Sequence, residues 1–357
     1  MNNITVKASK DNREQRKILL GMTACIWFGG WQGLYSGNRL FIGGNPECGN
    51  RVYWSESRNP LYFPPSNFAL VGGETRSVTA LAYLRDELII FKSNEVYSAA
   101  RTVLENPLTG REKEHFPPSL LSPLAGCDCP RTIRLCNDRL LWVDSRGEVY
   151  CLKEADAYSN ASVLRLGYNI ASRLAAYKGE TLRQAFAVDY AGRYLLVIGR
   201  EAYGLDYTDS AFIRLVSSEG RTGEELRWFV WDFGEGRQID AGVASQTAGA
   251  FLCRETPAQG ESEQPFYTAA FAGDEDGWAG GDLPVAPVCC SLRTAMIGWE
   301  PMERRKTLRR LYVMMENPRE AAITYLTDRR EFTDPQILYS PEGAGETVQK
   351  LSPSPTG

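Results

Sequence analysis

"CNDRLLWVDSRGEVYCL", from Cys136 to Leu152, has the pattern of two apolar strands joined by a polar turn. Leu140 to Val143 is a continuous apolar run, Asp144 to Gly147 is rich in turn residues, and Val149 to Leu152 is apolar again. Aromatic, β-branched and large aliphatic residues bounded by Asp, Ser and Gly are typical of a β-hairpin. The stretch therefore predicts antiparallel strands that are covered on both faces.

Two further stretches repeat this order of features. "LRDELIIFKSNEVYSA" spans Leu84 to Ala99, and "YAGRYLLVIGREAYGLDY" spans Tyr190 to Tyr207. Each stretch contains a Glu-x-Tyr unit, and the three units are 53 residues apart: Glu95 and Tyr97, Glu148 and Tyr150, Glu201 and Tyr203. An antiparallel unit of three or four strands that repeats about every 50 residues is typical of a propeller blade. We expect an all-β, β-propeller-like fold, and a β-sandwich of evenly spaced hairpins is the alternative.

The pattern along the chain divides it into three parts. Residues 1–34 are expected to form an N-terminal segment with a short helix and an apolar strand, residues 35–335 the propeller-like domain, and residues 336–357 a flexible tail. The apolar run from Ile18 to Phe28 is too short to span a bilayer, and no small-residue cleavage site follows it. Ala211 to Ser218, "AFIRLVSS", has the composition of a further strand.

Composition excludes several function classes. The 357 residues carry a net charge of −4, so the chain lacks the basic footprint of a protein that binds nucleic acid tightly. The single histidine, His115, argues against His-based metal sites and catalysis, and we expect it in a surface loop. The nine cysteines are irregularly spaced and are expected to be buried free thiols of a reducing cytosol. We therefore predict no enzyme activity and no catalytic, cofactor-binding or metal-binding residues.

The Glu-x-Tyr units have two interpretations. They could line a repeated ligand site, but the structural interpretation is favoured, with each Glu at a turn and each Tyr hydroxyl bonded to the backbone between blades. The sequence also has one basic cluster, at Arg304, Arg305, Lys306, Arg309 and Arg310. This cluster is a candidate contact for DNA phosphate or for a neighbouring subunit, and a solvated strand face is the alternative.

Several segments together resemble a family of bacteriophage and prophage virion proteins. "NRLFIGGNPECGNRVYWSESRNPLYFP" (Asn38 to Pro64) is followed by "NFALVGG" and "LIIFK", and "GCDCPRTIRLCNDRLLWVDSRGEVYCL" (Gly126 to Leu152) is similar to the segment that succeeds them. The late stretch "LRTAMIGWEPMERRKTLRRLYV" also resembles the family. The turn and blade residues that carry the resemblance in the first segment are Gly43, Gly44, Asn45, Pro46, Ser55, Pro60, Tyr62, Phe63 and Pro64. The family comprises tail-associated β-propeller proteins of the nozzle, tail hub or packaged-DNA stabilisation type.

The resemblance implies a structural role. Such a protein is made in the bacterial host cytoplasm and is located in the virion, in the tail or at the head–tail junction. It would assemble as a multi-copy homo-oligomeric ring that forms or closes the DNA channel. Its partners would be copies of itself, a portal or adaptor and other tail proteins, with transient, non-specific passage of DNA, no membrane span and no cofactor.

Two other functions remain open from the sequence. A propeller adhesin could bind host-surface glycan through loop aromatics such as Trp31 or Trp278. A propeller glycosidase, the less favoured of the two, would need two carboxylates about 5–9.5 Å apart.

Overall fold

The computed structural model describes most of the chain between residues 24 and 255 and separate strands beyond it. The described ranges are 24–28, 31–36, 38–105, 110, 112–153, 163–217, 223–233, 238–245, 250–255, 266–269, 275–276, 286–287, 311–316, 320–326, 331–339 and 346–351. The chain divides into two compact units, Met1–Ala286 and Pro287–Gly357. The expected all-β class is confirmed, because strands in small antiparallel sheets dominate both units.

In the described residues of unit 1, five antiparallel sheets of three or more strands follow one another along the chain. The first sheet has β1 (Ala24–Phe28), β2 (Trp31–Ser36), β3 (Arg39–Gly43), β4 (Arg51–Trp54) and β5 (Phe68–Leu70). The second has β6 (Val78–Leu84), β7 (Glu87–Lys92), β8 (Val96–Ala100) and β11 (Pro118–Ser122), with a separate hairpin of β9 (Thr102–Glu105) and β10 (Glu112–His115) inserted before β11. The strands of these two sheets are neighbours in chain order, and the β9–β10 hairpin is the insertion that separates β8 from β11.

The third and fourth sheets have the same four-stranded order as the second. The third contains β12 (Arg134–Cys136), β13 (Arg139–Val143), β14 (Val149–Leu152) and β15 (Val163–Arg165). The fourth contains β16 (Phe186–Tyr190), β17 (Arg193–Ile198), β18 (Glu201–Asp206) and β19 (Trp228–Asp232), and the fifth β20 (Ile239–Ser245), β21 (Ala250–Glu255) and β22 (Phe266–Ala269). The expected repeat of three- to four-stranded antiparallel units therefore corresponds to the second, third and fourth sheets.

The first turns of the three repeats share one backbone geometry. Two residues with positive φ connect β6 to β7, β12 to β13 and β16 to β17, and the flanking residues are paired. Those turn residues are Arg85 and Asp86, Asn137 and Asp138, and Ala191 and Gly192. Two successive residues with positive φ define the hairpin turn whose twist matches that of the flanking strands. The repeat is therefore a repeat of turn geometry as well as of apolar strands.

The cores lie between consecutive sheets. Alternate residues of β7 point to opposite neighbours, so that Leu88 and Ile90 belong to the core shared with the first sheet, whereas Ile89 and Phe91 belong to the core shared with the third. In β17, Leu196 packs towards the third sheet, while Leu195 and Val197 pack towards the fifth. Side chains alternate across a strand, so a strand covered on both faces becomes apolar throughout. This packing explains the continuous apolar runs.

Helical segments precede the third sheet, separate it from the fourth, and lie between β18 and β19 of the fourth. The α-helices are α1 (Ala171–Leu174), α2 (Gly179–Gln184) and α3 (Ser210–Ser217), and the 3-10 helices are Pro130–Thr132, Tyr168–Ile170 and Gly223–Glu225. None of the helices in the described ranges is both long enough and apolar enough to cross a bilayer.

The strand expected at Ala211 to Ser218 is wrong, because α3 ends at Ser217 and includes every described residue of that segment. An Asp209 carboxylate oxygen accepts the Ala211 N–H at 3.0 Å, which satisfies a free donor at the helix start. Phe212, Leu215 and Val216 are buried, at the i, i+3 and i+4 spacing of one helix face.

The expected boundaries at residues 34/35 and 335/336 differ from the structure. The first boundary lies inside β2, which pairs with both β1 and β3, so all three strands belong to the first sheet.

The remaining strands are β23 (Glu275–Asp276), β24 (Ala286–Pro287), β25 (Leu311–Glu316), β26 (Glu320–Leu326), β27 (Glu331–Tyr339) and β28 (Glu346–Leu351). In the segment expected to be a flexible tail, β28 pairs with β25, and its β-branched Thr347 and Val348 suit a strand.

Candidate functional site

The three Glu-x-Tyr units occupy equivalent places in the second, third and fourth sheets. Each Glu closes the turn that precedes β8, β14 or β18, and each Tyr lies two residues further along the strand. Residues two apart in a strand share a face, so the carboxylate and the phenol of one unit lie on the same side of the sheet. The three units therefore form a series at the same end of three consecutive sheets.

The first unit holds a buried lysine. The Tyr97 hydroxyl donates to Glu95 Oε2 at 3.1 Å, and Lys92 Nζ lies 3.9 Å from the same oxygen. Lys92 is fully buried, and its ammonium donates to the carbonyls of Val71 and Gly73, each at 2.7 Å. Burial lowers the Lys92 pKa, and burial together with Glu95 raises the Tyr97 pKa to about 12. The unit therefore fixes the loop after β5, in the first sheet, to the second sheet.

The second unit is organised by a buried carboxylate that precedes it. Asp144 accepts the backbone N–H groups of Arg146 and Glu148 at 2.9 and 3.0 Å. Its other oxygen accepts the Arg146 guanidinium at 2.8 and 2.6 Å. That guanidinium also donates to the Tyr150 hydroxyl at 3.1 Å, whereas Glu148 pairs with Arg165 instead. Burial and then Asp144 raise the Tyr150 pKa to about 12. This unit therefore fixes the turn between β13 and β14.

In the third unit, one carboxylate oxygen accepts two phenols. Glu201 Oε2 receives hydrogen bonds from Tyr177 at 2.5 Å and from Tyr203 at 2.6 Å. These two bonds lower the Glu201 pKa. Burial is the main cause that raises the Tyr203 pKa. Since Tyr177 lies between α1 and α2, the unit ties the helical insertion to β18.

The sequence interpretation of these units needs one correction. Their tyrosine hydroxyls meet side chains, chiefly carboxylates, where a backbone partner was expected. The partners Lys92, Asp144 and Tyr177 were not selected from the sequence, because their distances from the tyrosines along the chain differ in each unit. The arrangement stabilises turns and joins between sheets. Burial raises the pKa of Tyr97, Tyr150 and Tyr203, so their hydroxyls stay protonated and can donate hydrogen bonds at neutral pH.

A connector segment, residues 125–133, joins the second sheet to the third and contacts both. The Gly126 backbone is so close to the β7–β8 turn that a Cβ there would lie 2.2 Å from Asn94 N and 2.3 Å from Lys92 O. Cys127 N donates to Lys92 O at 2.8 Å, and Trp142 Nε1 donates to Gly126 O at 3.1 Å. Only glycine fits this position, because any side chain would overlap backbone atoms.

The same connector segment reaches the fourth and fifth sheets. Tyr194, in β17, donates its hydroxyl to Thr132 O at 2.9 Å. Asp128 accepts the Ser145 N–H at 2.7 Å and forms an ion pair with Arg183 of α2 at 3.0 Å. Arg131 donates to the backbone carbonyl of Gln184 at 3.2 Å and to that of Asp240 in β20. The connector segment therefore contacts every sheet from the second to the fifth.

The Asn38-to-Pro64 motif contributes turns, as its composition predicts. Gly44 has a φ of 80°. The side chain of Asn45, the residue before Pro46, accepts the Glu47 N–H at 3.0 Å. A Cβ on Gly43 would lie 3.0 Å from Val78 Cγ1, so this glycine allows the first two sheets to approach. Among the other residues of the Asn38-to-Pro64 motif, Ser55 is buried and Tyr62 is exposed. Three more are half-buried: Pro60, Phe63 and Pro64. Tyr62 therefore lies at the surface and does not pack between sheets.

Ser55 and the β9–β10 hairpin are linked through a buried arginine. Ser55 Oγ accepts the Leu40 N–H at 2.9 Å, and the Ser55 carbonyl accepts Arg39 at 2.5 Å. The Arg39 guanidinium also pairs with Glu114 of β10 at 2.5 Å. His115, expected in a surface loop, is instead a half-buried strand residue whose ring lies 6.5 Å from that of Trp54. The hairpin therefore fastens the second sheet to the first.

The free cysteines match the expectation of buried thiols where the structure describes them. Cys127, Cys129, Cys136, Cys151 and Cys253 are buried, and Cys48 is half-buried. Burial raises the pKa of the first four thiols, which disfavours the reactive thiolate. The basic cluster at Arg304, Arg305, Lys306, Arg309 and Arg310 lies outside the described residues, as does Trp278.

Comparisons with known proteins do not show a family for this chain. No protein-family model and no curated protein matches the chain. A structure of PorZ, described as an essential bacterial surface component of the type-IX secretion system of Porphyromonas gingivalis, aligns with 89% of this chain at 12% identity and a TM-score of 0.36. A chain from an S. cerevisiae structure of Dbp5 bound to Nup159, Gle1, IP6 and ADP aligns with 67% at 11% identity and a TM-score of 0.29. The chain spans 32% and 54% of the two structures' lengths, and neither likeness carries an argument about role.

Proposed function

We propose that this chain is a structural protein of a phage or prophage virion, located in the portal or tail region. In this proposal, copies of the chain assemble as a ring that forms or closes the DNA channel. The connector segment is the main support for this proposal. Its "GCDCPRTI" sequence is part of the resemblance to the virion proteins. Its backbone and side chains join four consecutive sheets. A channel component must keep its shape under load, and such joins give rigidity.

The finer fold assignment is part of the same proposal. We take the five sheets of unit 1 as propeller blades, each a meander whose early strand is the inner one. Supporting this assignment, β6 lies beside β2, β16 lies beside β12, and β20 lies beside β16. Cores between consecutive sheets, with alternate residues of one strand in two cores, are the packing that blades around an axis require.

The charge of the chain suits a conduit. Its net charge of −4 gives no overall attraction for a polyanion, so DNA could pass without being trapped. The proposed partners are other copies of the chain and a portal or adaptor, with transient DNA contact.

Binding to a portal–adaptor complex tests the assignment. The full chain would be mixed with the portal–adaptor complex encoded in the same phage or prophage genome, and co-sedimentation would be measured. We expect one ring to bind per complex, and Gly73→Ala, at a glycine with no atom within 4 Å of its Cβ position, to bind equally. A folded chain that never co-sediments with the complex would contradict the proposal.

A further inference from the structure

The first sheet exposes apolar side chains on one of its faces. Val52 of β4 belongs to the core shared with the second sheet, so its neighbours Arg51 and Tyr53 lie on the opposite face. Their partners across the ladder to β5 are Leu70 and Phe68, both exposed, and residues directly opposite each other share a face. We call the surface formed by Arg51, Tyr53, Phe68 and Leu70 the outer face of the first sheet.

Arg51 gives the outer face a positive charge. Its guanidinium carbon lies 5.0 Å from the centroid of the Phe68 ring, and that ring lies 6.1 Å from the ring of Tyr53. A hydrogen bond with Tyr53 is the first cause that raises the Arg51 pKa, and the charge of Glu74 is the last. Within the described ranges, no Asp or Glu forms an ion pair with Arg51. The outer face therefore offers a cation beside exposed apolar side chains.

The β9–β10 hairpin carries negative charge on one of its faces. Glu105 of β9 lies directly opposite Glu112 of β10, and Val103 lies opposite Glu114. Residues two apart in a strand share a face, so these four side chains are on the same side of the hairpin. Glu105, Glu112 and Val103 are exposed. We call the surface formed by Val103, Glu105 and Glu112 the acidic face of the hairpin.

The two exposed carboxylates of the acidic face have no cationic partner in the part of the chain that the structure describes. Glu114 is paired with Arg39 and Arg101, but no Lys or Arg of the described ranges forms an ion pair with Glu105 or Glu112. Like charges directly opposite each other destabilise an antiparallel pair of strands. A cation brought by a partner would relieve this repulsion.

The hairpin is attached to the side of the first sheet that is opposite the outer face. Glu114 pairs with Arg39, and the ring of His115 lies 6.5 Å from the ring of Trp54. Trp54 and Phe41 belong to the core shared with the second sheet, and Arg39 shares a face with Phe41 because the two are two positions apart. Contact between the acidic face and an outer face therefore requires a second copy of the chain.

We propose that the acidic face of the hairpin in one copy of the chain docks on the outer face of the first sheet in the next copy. The two carboxylates would meet Arg51, and Val103 would pack against Phe68 and Leu70. Opposite charges around an apolar centre orient two proteins and exclude like-charged partners. A contact between two different surfaces joins copies head to tail and closes as a ring when the rotation permits. Its use in a ring rests on the proposed function, whereas the contact itself does not.

Sedimentation equilibrium of the full chain, over a range of concentrations at low ionic strength, measures this contact. We expect Arg51→Glu and Glu105→Lys each to weaken self-association about tenfold or more, because each places like charges against each other. A variant that combines Arg51→Glu with Glu105→Lys and Glu112→Lys restores opposite charges and should regain most of the association. Glu180→Lys, the same charge change at an exposed site of α2, is the matched control. Glu105 is exposed, so Glu105→Lys tests the contact even if Arg51→Glu does not fold.

The same samples distinguish the docking contact from the proposed function. Association that responds to the variants as expected but gives open chains of copies supports the contact and contradicts the ring. Rings that are equally stable in the wild type, Arg51→Glu and Glu105→Lys would overturn the contact and leave the proposed function standing. A wild-type chain that stays a single copy at every concentration would overturn the contact, and binding of that single copy to the portal–adaptor complex would still support a place in the virion.

Discussion

The Tyr194 hydroxyl, in β17, donates a 2.9 Å hydrogen bond to the backbone carbonyl of Thr132, in the connector segment. The two residues are separated by 62 positions in the chain, and Tyr194 is fully buried. Thr132 in turn receives the Val143 N–H on its own side-chain oxygen at 3.0 Å. One buried phenol thus joins the fourth sheet to the connector segment and, through Thr132, to the third sheet.

Replacement of Tyr194 by Phe removes this hydroxyl and leaves the carbonyl of Thr132 without its bond. We expect a loss of about 1–2 kcal/mol in the free energy of unfolding, measured by urea denaturation. Tyr62→Phe is the control, because the Tyr62 side chain is 55% exposed. An equal, near-zero effect of the two substitutions would refute a structural role for the Tyr194 bond.

Gly126→Ala tests the close approach of the connector segment to the second sheet. The new Cβ would lie 2.2 Å from Asn94 N, and the atoms it meets are backbone atoms that cannot rotate away. We expect a loss of at least about 2 kcal/mol in the free energy of unfolding. Gly73→Ala, where the Cβ position is empty, should be neutral in the same denaturation experiment. Similar midpoints for both variants would show that the connector segment is not tightly packed.

The Glu201 carboxylate predicts a specific dependence of stability on pH. Hydrogen bonds from Tyr177 and Tyr203 lower the Glu201 pKa from 4.5 in the folded chain. The stability that the ionised carboxylate contributes is therefore complete above pH 4.5 and is lost as the pH falls through the folded pKa. We expect the difference in unfolding free energy between the wild type and Glu201→Gln to shrink as the pH is lowered below about 4.5. Glu180→Gln, at an exposed site, is the control for the effect of the substitution itself. A difference that stays constant with pH would contradict the assignment.

Glu114→Gln tests how the β9–β10 hairpin is fastened to the first sheet. The substitution removes the carboxylate partner of Arg39, whose side chain is only 9% exposed. We expect a loss of about 2 kcal/mol in the free energy of unfolding, because a nearly buried guanidinium keeps its bond to the Ser55 carbonyl but loses its carboxylate partner. The exposed Glu112 of the same strand provides the control, Glu112→Gln. If the two variants have equal stability, the ion pair contributes nothing to docking of the hairpin.

The repeated strands could be predicted because their signals are local. A run such as Leu195 to Ile198 is apolar throughout, and turn residues such as Asn137 and Asp138 favour positive φ. Both features act within a few residues, so they can be recognised without knowledge of the packing. The spacing of Glu95, Glu148 and Glu201 then relates one sheet to the next.

The joins between sheets could not be predicted in the same way. The partners of Arg131 are 53 and 109 residues away, and hydrogen bonds over such distances leave no periodic pattern. Local signals were also ambiguous at α3, where Phe212, Leu215 and Val216 fit one face of a helix although the composition is that of a strand. Its start at Asp209 was the feature that could have distinguished the two.

The central claim is best tested by the mass of the purified full-length chain, measured by light scattering with negative-stain images of the same sample. The chain has a mass of 39.8 kDa. We predict a single species at an integer multiple of that mass, with ring-shaped particles of uniform size. A species that keeps the mass of one chain at every concentration, both alone and with the portal–adaptor complex, would contradict the assignment as a ring-forming virion protein.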